Sequence, residues 1–297
     1  MKQFYRRAFW LITLFLVILM APNLFADETL SQKGLLWQID RQGLTPSYLF
    51  GTIHSEDARV NQLPHDVRSR FEQADSVSLE VLMDIPTMLK VAHAMFFMGD
   101  KSLDKLIGKN LYNQVVKAMS KYDMPSMVVK KLKPWAVIVT LSTPPSKTGE
   151  VLDLRLYRKA RQLQIPTYGL EKVEEQLNIF EDIPLDDQVT LLKDTLEYLD
   201  KMPIIFDKLH ELYLERDLTA LMTFSAEYMR DSSDNQALMD AFYKRIVDDR
   251  NSRMVKRMEK RLREGNAFIA VGALHLPGKK GLLKLLQTRG YRVSALY

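Results

Sequence analysis

Two histidines that share the same local context are the residues most suggestive of chemistry. Each is the last residue of a Gly-x-x-His pattern at the end of an apolar run. The first pattern ends the stretch Ser47–His54 and the second ends Ala267–His275. A short apolar run closed by glycine is typical of a buried strand, and glycine permits a close backbone approach that a side chain would block. Neutral imidazole is a common metal ligand and general base. The pattern predicts that both histidines lie just beyond strand ends and can serve either role.

The positions of these two strands in the chain bear on whether the histidines meet. They lie near opposite ends of the sequence. In sheets covered by helices, ligands bind beyond the carboxyl ends of the strands. A sheet built from both ends of the chain would therefore bring His54 and His275 together. The alternative is that both are ordinary histidines in loops, as we expect for His65, His93 and His210, which lack the pattern.

A glutamate at the end of another predicted strand completes a candidate ligand set. Glu80 directly follows the alternating stretch Ser76–Leu79. A carboxylate beside a buried site is costly unless it is paired or coordinated. Two imidazoles and one carboxylate match a hydrolytic metal site whose fourth position is left for water. The residues therefore favour a metal site made of His54, Glu80 and His275, with a solvated strand end as the alternative for Glu80.

Two further acids, Glu56 and Asp57, follow His54 closely. They could orient its ring or bind a metal, although a solvated surface is the more common setting for such residues. The chain contains no cysteine. This excludes a thiol nucleophile, a thiolate metal site and a disulfide framework, so any metal must be held by histidine and carboxylate.

The N-terminus predicts export. A basic segment ending at Arg7 is followed by an uncharged apolar run from Ala8 to Ala21 and a small residue, Ala26, at a plausible cleavage point. This is the pattern of a secretory signal peptide over residues 1–26, which would make the product periplasmic or secreted. The alternative is an uncleaved anchor that keeps the protein near a membrane, because the uncharged stretch is close to the roughly 20 residues of a spanning helix.

Cleavage of that segment would also change the charge balance. The formal net charge of the whole chain is +5, and the signal contains three basic residues and no acid before Asp27. The mature product would therefore carry +2, which gives no reason to expect nucleic-acid binding. Phosphate-binding, dinucleotide-binding and Gly-x-Ser-x-Gly patterns are missing from the sequence, and His210-Glu211 lacks the second histidine of a His-Glu-x-x-His motif because position 214 is leucine.

The order of predicted elements indicates an α/β fold. Strands and helices alternate at both ends of the chain, while the middle is helical. We expect residues 27–297 to form a single domain with a mixed central sheet built from N- and C-terminal segments. The helices at about 86–145 and 184–235 would form a cap over the sheet, and a long helix is expected from about 237 to 263.

Three segments of this chain resemble the TraB/GumN family. They are Leu49–His54, Ser78–Glu80 and the C-terminal stretch Phe268–Leu286, which contains Gly-Ala-Leu-His275-Leu-Pro-Gly. The family includes the Tiki-type metalloproteases and is distantly similar to erythromycin-esterase-like and ChaN-like proteins. The resemblance covers roughly residues 34 to 297 and is densest at the two ends.

The resemblance adds five residues to the candidate site. Family members have an acid on a central helix, a Leu-Glu followed by glutamine, and an Arg-Asn pair on a later helix. In this sequence these features are matched by Asp153, Glu171, Gln176, Arg250 and Asn251. We expect Asp153, Gln176 and Asn251 to support the ligands, and Glu171 is a further candidate for this role, because carboxylates and similar groups normally orient ligand histidines. The alternative for Asp153 is a favourable interaction with the helix dipole alone.

The resemblance implies a divalent-metal-dependent peptidase that acts on a peptide or protein. In that interpretation Glu171 or Glu56 is the general base and Arg250 stabilises the oxyanion. The ligand set leaves manganese, cobalt and zinc open. Two alternatives remain: a metal-free, esterase-like hydrolase in which a histidine activates water, and a non-enzymatic protein that binds haem or a peptide.

Overall fold

The structure is a computed structural model that describes residues 32–231 and 235–297. The predicted signal peptide, residues 1–26, lies outside the described residues. Within the described ranges, no helix is both long enough and apolar enough to cross a membrane.

Six strands form one mixed sheet at the centre of the described chain. Their spatial order is β4-β3-β5-β2-β1-β6. The strands are β1 (Leu36–Asp40), β2 (Ser47–Thr52), β3 (Ser76–Leu79), β4 (Thr167–Gly169), β5 (Ala267–Gly272) and β6 (Arg292–Ala295). Neighbours from β4 to β2 are parallel, whereas β1 pairs antiparallel with both β2 and β6. The prediction of a mixed sheet built from both ends of the chain is confirmed.

The N-terminal hairpin and the two apolar strands form as their sequences predict. Between β1 and β2, the turn-rich stretch with Gly43 and Pro46 reverses the chain, and Gly43 has a φ of 79°. Every residue of β2 and β5 is buried. Continuous apolar runs of this length are typical of strands covered on both faces.

Helices account for most of the remaining chain, including the middle, as predicted. The α-helices of the described residues are α1 (Ala58–Asn61), α2 (His65–Glu72), α3 (Ile85–Ala94), α4 (Leu103–Met119), α5 (Ser126–Val129), α6 (Pro134–Leu141), α7 (Leu152–Gln162), α8 (Val173–Glu181), α9 (Leu185–Glu197), α10 (Met202–Leu214), α11 (Leu218–Asp231), α12 (Gln236–Tyr243), α13 (Asp249–Glu264) and α14 (Leu282–Thr288). The segment 142–151, which contains Pro144 and Pro145, has no helix or strand.

The predicted long helix near the C-terminus contains an irregular turn. Instead of one α-helix from about 237 to 263, α12 and α13 are joined by the π-helical segment Lys244–Asp248. A π-turn inserts an extra residue and rotates the side chains that follow, and such turns occur often at functional sites. Hydrophobic periodicity does not reveal a single inserted residue, which explains the difference. The turn immediately precedes Arg250.

Two large apolar clusters and a small one around Met83, Val151 and Leu154 stabilise the described residues. The larger surrounds the sheet and includes Phe268, together with Leu209 of α10 and Leu221 of α11. The second lies among the helices between residues 81 and 192 and also includes α12; here Trp135 stacks on Phe180 with 5.4 Å between ring centroids. The helices of the first predicted cap segment, about 86–145, thus pack around a core that is separate from the sheet. In contrast, α10 and α11 of the second predicted segment pack against the sheet. The cap limits stay a prediction.

Candidate active site at the two Gly-x-x-His turns

Three adjacent parallel strands bring the predicted ligands to one edge of the sheet. β5 lies between β2 and β3, and the pairing of Thr52 with Gly272 aligns the carboxyl ends of β2 and β5. The chain then continues from each strand to His54, His275 or Glu80. All three side chains are buried, with residue exposures of 5%, 0% and 6%. The predicted convergence of the two histidines is therefore present.

The close approach of the two turns depends on Gly51. A Cβ atom at this position would lie 3.1 Å from the Cα atom and 3.2 Å from the Cβ atom of Ala273, which belongs to the second Gly-x-x-His turn. Gly51 does not have a positive φ. The glycine is therefore needed for space and not for an unusual backbone conformation.

A chain of hydrogen bonds fixes the tautomer of His275. The Asn251 side chain donates through Nδ2 to the carbonyl of Lys280 at 2.9 Å, so its Oδ1 is the acceptor. That oxygen lies 2.6 Å from His275 Nδ1, which must therefore carry the proton. Burial, together with the positive charge of Arg250, lowers the pKa of His275 to about 3. The ring is neutral near pH 7, with the lone pair on Nε2.

Asp153 holds the other histidine. Its Oδ2 atom lies 2.6 Å from His54 Nδ1, as a close charge contact and not as a well-aligned hydrogen bond. The hydroxyl of Thr52 donates to the second carboxylate oxygen at 2.9 Å. Burial favours the neutral ring of His54, but the charge of Asp153 outweighs it and the pKa of His54 is raised. A carboxylate that orients a histidine in this way is typical of metal sites and of general bases.

Glu80 lies between the two histidines and Arg250. Its Oε1 atom accepts a hydrogen bond from the backbone N–H of Gly272 at 2.6 Å and lies 3.8 Å from His275 Nε2. Its Oε2 atom accepts from Arg250 Nη2 at 2.5 Å. Burial alone would raise the pKa of Glu80, but the charge of Arg250 holds it at about 2. The carboxylate is therefore ionised near pH 7.

Glu171 extends this charged network below Glu80. Its Oε2 accepts from Arg250 Nε at 2.7 Å and from Gln176 Nε2 at 3.1 Å, while its Oε1 accepts from Arg253 Nη1 at 2.7 Å. Both oxygens are thus occupied by donors. These contacts favour a supporting role for Glu171 over the predicted role of general base. The same holds for Arg250, predicted to stabilise an oxyanion: the residue is 2% exposed and its guanidinium pairs with two buried carboxylates.

The residues present suit a divalent ion in their donor chemistry. His54 Nε2 and His275 Nε2 are buried without a hydrogen-bond partner, although a buried polar atom normally has one. A cavity of about 10 Å³, near the size of one water-sized sphere, is lined by His54, Glu80, Asp153 and Gln176 among others. Nevertheless, no three histidine, aspartate or glutamate side chains of the described residues are grouped tightly enough to form a coordination shell.

Glu56 is the one predicted site residue that lies apart from this network. Its carboxylate accepts hydrogen bonds from Ser146 Oγ at 2.8 Å and from the backbone N–H groups of Lys147, Thr148 and Gly149 at 2.8 to 3.2 Å. These bonds tie the segment 146–149 to the turn that contains His54. Such contacts are typical of a structural role. The role of Glu56 as general base stays a prediction.

Helix α10 contacts the site, although no pattern in the sequence indicates this. His210 Nε2 lies 2.7 Å from the hydroxyl of Ser55, and the Tyr213 hydroxyl donates to the carbonyl of Gly51 at 2.9 Å. This differs from the prediction that His210 is an ordinary histidine in a loop. The helix therefore holds the first Gly-x-x-His turn from both ends.

Thr52 and Arg253 are further contacts that sequence reasoning missed. Thr52 lies within the first Gly-x-x-His motif, and Arg253 is one helical turn after Arg250 on α13. Their positions next to predicted site residues could have indicated a role. Their partners, Asp153 and Glu171, are however 101 and 82 residues away in sequence.

A larger cavity opens beside His54. Its volume is about 510 Å³, and it lies between the turn after β2, the segment 143–148 and α10. This is within the range of 300–1,000 Å³ that is usual for ligand pockets. The small cavity between His54 and Glu80 and this larger one share His54 in their walls.

Comparison with known proteins identifies the family of this fold and site. The sequence profile of the TraB/PrgY/gumN family matches residues 35–295. Metalloprotease TIKI2 of Danio rerio is 25% identical over 323 residues, which cover 90% of this chain and 62% of that protein. Metalloprotease TIKI1 of Homo sapiens is 24% identical over 313 residues, covering 88% and 62%.

These relatives are longer than this chain, which spans about three fifths of their length. No solved structure matches the chain. The family profile nevertheless extends from the first strand to the last and includes both Gly-x-x-His turns, so the resemblance noted in the sequence is confirmed. The chain belongs to the TraB/PrgY/gumN family.

Proposed function

We propose that this protein is a divalent-metal-dependent hydrolase that cleaves peptide bonds. The observation that carries the proposal is the pair of unpartnered, buried Nε2 atoms of His54 and His275 near the ionised Glu80, which lies 3.8 Å from His275 and lines a small cavity with His54. The relatives named as metalloproteases support the choice of a protein or peptide as substrate. Manganese, cobalt and zinc all remain compatible with two imidazoles and a carboxylate.

In this proposal the three ligands are His54, Glu80 and His275. A divalent ion bound there would lower the pKa of water and polarise the peptide carbonyl. Asn251 keeps the proton of His275 on Nδ1, which leaves Nε2 available as a ligand. Asp153 lies against Nδ1 of His54 and orients that ring.

Arg250 and Glu171 act through Glu80. The guanidinium offsets the charges of two buried carboxylates that could not otherwise remain ionised next to each other. Gln176 bridges the same pair, with its Nε2 at 3.1 Å from Glu171 and 3.5 Å from Glu80. The position of Glu80 relative to the two histidines is therefore set by α8 and α13.

A metal-free hydrolase is the second candidate, and the His54–Asp153 pair favours it. A histidine held by a buried carboxylate can accept a proton from water or from a nucleophile. In that case His54 Nε2 is the base and Glu80 contributes only charge. A non-enzymatic protein that binds haem or a peptide remains the third possibility. Export to the periplasm or beyond also remains part of the proposal, since residues 1–26 lie outside the described structure.

The test is metal-restored cleavage of a mixed peptide library. The purified protein is stripped with a chelator and titrated with manganese, cobalt or zinc, and the products are followed by mass spectrometry. We expect activity to disappear on stripping and to return with at least one of the ions. A His65→Ala variant is the matched control, because this histidine is on the surface with 90% of its side chain exposed. Cleavage that survives complete metal removal would contradict the metal-dependent mechanism and favour His54 as a general base.

A further inference from the structure

From the cavity of about 510 Å³ beside His54, we infer a subsite that binds a large apolar side chain of the peptide substrate. This inference rests on the proposed function, because it specifies which peptides reach the candidate site. Nothing in the relatives' names describes such a preference.

The cavity adjoins the candidate site, because His54 lies in the walls of both. Ile53, His54 and Ser55 form one wall, so a group bound in the cavity lies against the first Gly-x-x-His turn. Residues of α10 and of the segment 143–148 also line it. Because His210 of α10 lies 2.7 Å from the hydroxyl of Ser55, α10 is joined directly to the first Gly-x-x-His turn.

The walls are mostly apolar. Leu141, Leu199, Met202 and Phe206 are the large carbon surfaces that line the cavity. The polar atom of Tyr122 does not compete for a ligand, since its hydroxyl donates to the carbonyl of Thr143. A surface of this kind binds aliphatic or aromatic groups by removing apolar area from water.

The charged groups of the lining are either occupied or close to solvent. The carboxylate of Glu56 accepts the hydrogen bonds of the segment 146–149, and that of Asp57 binds the guanidinium of Arg59 with a shortest distance of 2.6 Å. Lys121, Lys147 and Asp207 are exposed. A charged side chain inside the cavity would therefore lose its hydration without a buried partner of opposite charge, which is costly.

Volume also limits the occupant. The cavity is larger than a single side chain needs, so part of the peptide backbone can enter with it. Small residues such as alanine would leave much of the apolar wall uncovered. The geometry therefore favours phenylalanine, leucine and residues of similar size next to the bond that is cleaved.

Binding to metal-stripped protein separates recognition from turnover. The probes are fluorescein-labelled decapeptides of glycine and serine that carry a single central Phe, Leu, Ala, Lys or Asp, and the readout is fluorescence anisotropy. We expect the Phe and Leu peptides to bind roughly tenfold more tightly than the Lys and Asp peptides, as burial of one large apolar side chain predicts. The Ala peptide should be close to the charged ones.

Two variants at the wall and one control localise the effect. Leu199→Trp fills the cavity and should weaken binding of the Phe peptide severalfold, whereas Phe206→Ala enlarges the cavity and should reduce the preference for Phe over Ala. Ile204→Trp is the control, because Ile204 lies on the same helix as Phe206 but is 74% exposed and does not line the cavity. Thermal unfolding of each variant confirms that the fold is retained.

The outcomes distinguish this inference from the proposed function. Equal or undetectable binding of all five peptides would overturn the subsite, even if the metal-loaded protein cleaves a peptide library. Selective binding that Leu199→Trp weakens, together with no cleavage under any metal, would keep the subsite and reject the peptidase. Selective binding that the wall variants leave unchanged would place the recognition elsewhere and would also overturn the inference.

Discussion

Asn251 determines which ring nitrogen of His275, a proposed metal ligand, carries the proton. Its amide can have only one orientation, because Nδ2 donates to the Lys280 carbonyl. The remaining oxygen then forces the proton of His275 onto Nδ1. Partners of this kind typically contribute 10–100-fold to metal affinity in proteins.

Replacement of this amide should therefore weaken metal binding. For Asn251→Leu we expect an affinity for manganese or zinc that is roughly 10–100-fold lower than that of the wild type, since the tautomer of His275 is no longer fixed. Calorimetric titration of the metal-stripped protein measures this change. The matched control is Asn110→Leu on the exposed face of α4, which should bind metal normally. An unchanged affinity in Asn251→Leu would show that His275 is not a ligand.

Arg250 affects the site through its charge, whereas Asn251 affects it through a hydrogen bond. It is enclosed with Glu80 and Glu171, and burial of such a pair is favourable only while both signs are present. We expect Arg250→Met to lower the free energy of unfolding by about 3–5 kcal/mol, since two carboxylates lose their partner. Urea denaturation measures this loss.

An arginine on the surface provides the control for the Arg250→Met variant. Arg263 pairs with Glu259 at 3.2 Å, and 67% of its side chain is exposed. Arg263→Met should change the free energy of unfolding by no more than about 0.5 kcal/mol. If both variants lose the same stability, the buried network is not what holds α13 against the strand ends.

At the level of elements, α10 links the cavity to the first Gly-x-x-His turn. His210 is half-buried, and burial lowers its pKa from the usual 6.5 although the nearby charges of Asp57 and Asp207 oppose the shift and that of Arg59 supports it. The unfolded chain therefore binds a proton at His210 more readily than the folded chain does. By linkage, stability is lost as the pH falls below about 6.5.

The contribution of α10 to acid sensitivity can be isolated with one substitution. The urea midpoint of the wild type should fall between pH 8 and pH 5.5, and His210→Gln should fall less because it no longer has this proton to bind. His65→Gln, at an exposed position, should fall as much as the wild type. If the urea midpoint of His210→Gln falls as much as that of the wild type, protonation of His210 is not the cause of the acid sensitivity.

The helices and strands also show which features of the fold could be predicted from the sequence and which could not. Apolar runs ending in glycine identified β2 and β5, and the resemblance to a family supplied Asp153 and Asn251. The contact of His210 with Ser55 spans 155 positions and has no local pattern. The π-turn at Lys244–Asp248 was missed because a single inserted residue barely alters hydrophobic periodicity.

For Glu56 the sequence was ambiguous for a different reason. An acid two residues after a candidate ligand is compatible with catalysis, metal binding or a loop anchor. Only the fold shows that the N–H groups of Thr148 and Gly149 point at its carboxylate. Contacts of this type depend on the path of a loop without regular structure, which hydrophobic periodicity does not describe.

At the scale of the whole molecule, the site exists only because the two ends of the chain share a sheet. β5 is inserted between β2 and β3, and β6 closes the far edge by pairing with β1. The proposed ligand Glu80, directly after β3, comes from a third segment of the chain. This arrangement makes the site a product of the complete fold and not of any single motif.

The most direct test of this account is the metal stoichiometry of single variants at the three proposed ligands. Purified wild type and His54→Ala, Glu80→Gln and His275→Ala variants are loaded with manganese, cobalt or zinc, desalted and measured by elemental analysis, with circular dichroism to confirm folding. We expect about one ion per wild-type chain and a clear loss in each folded variant, because a site with three protein ligands depends on all of them. Unchanged stoichiometry in all three variants would contradict the proposed site.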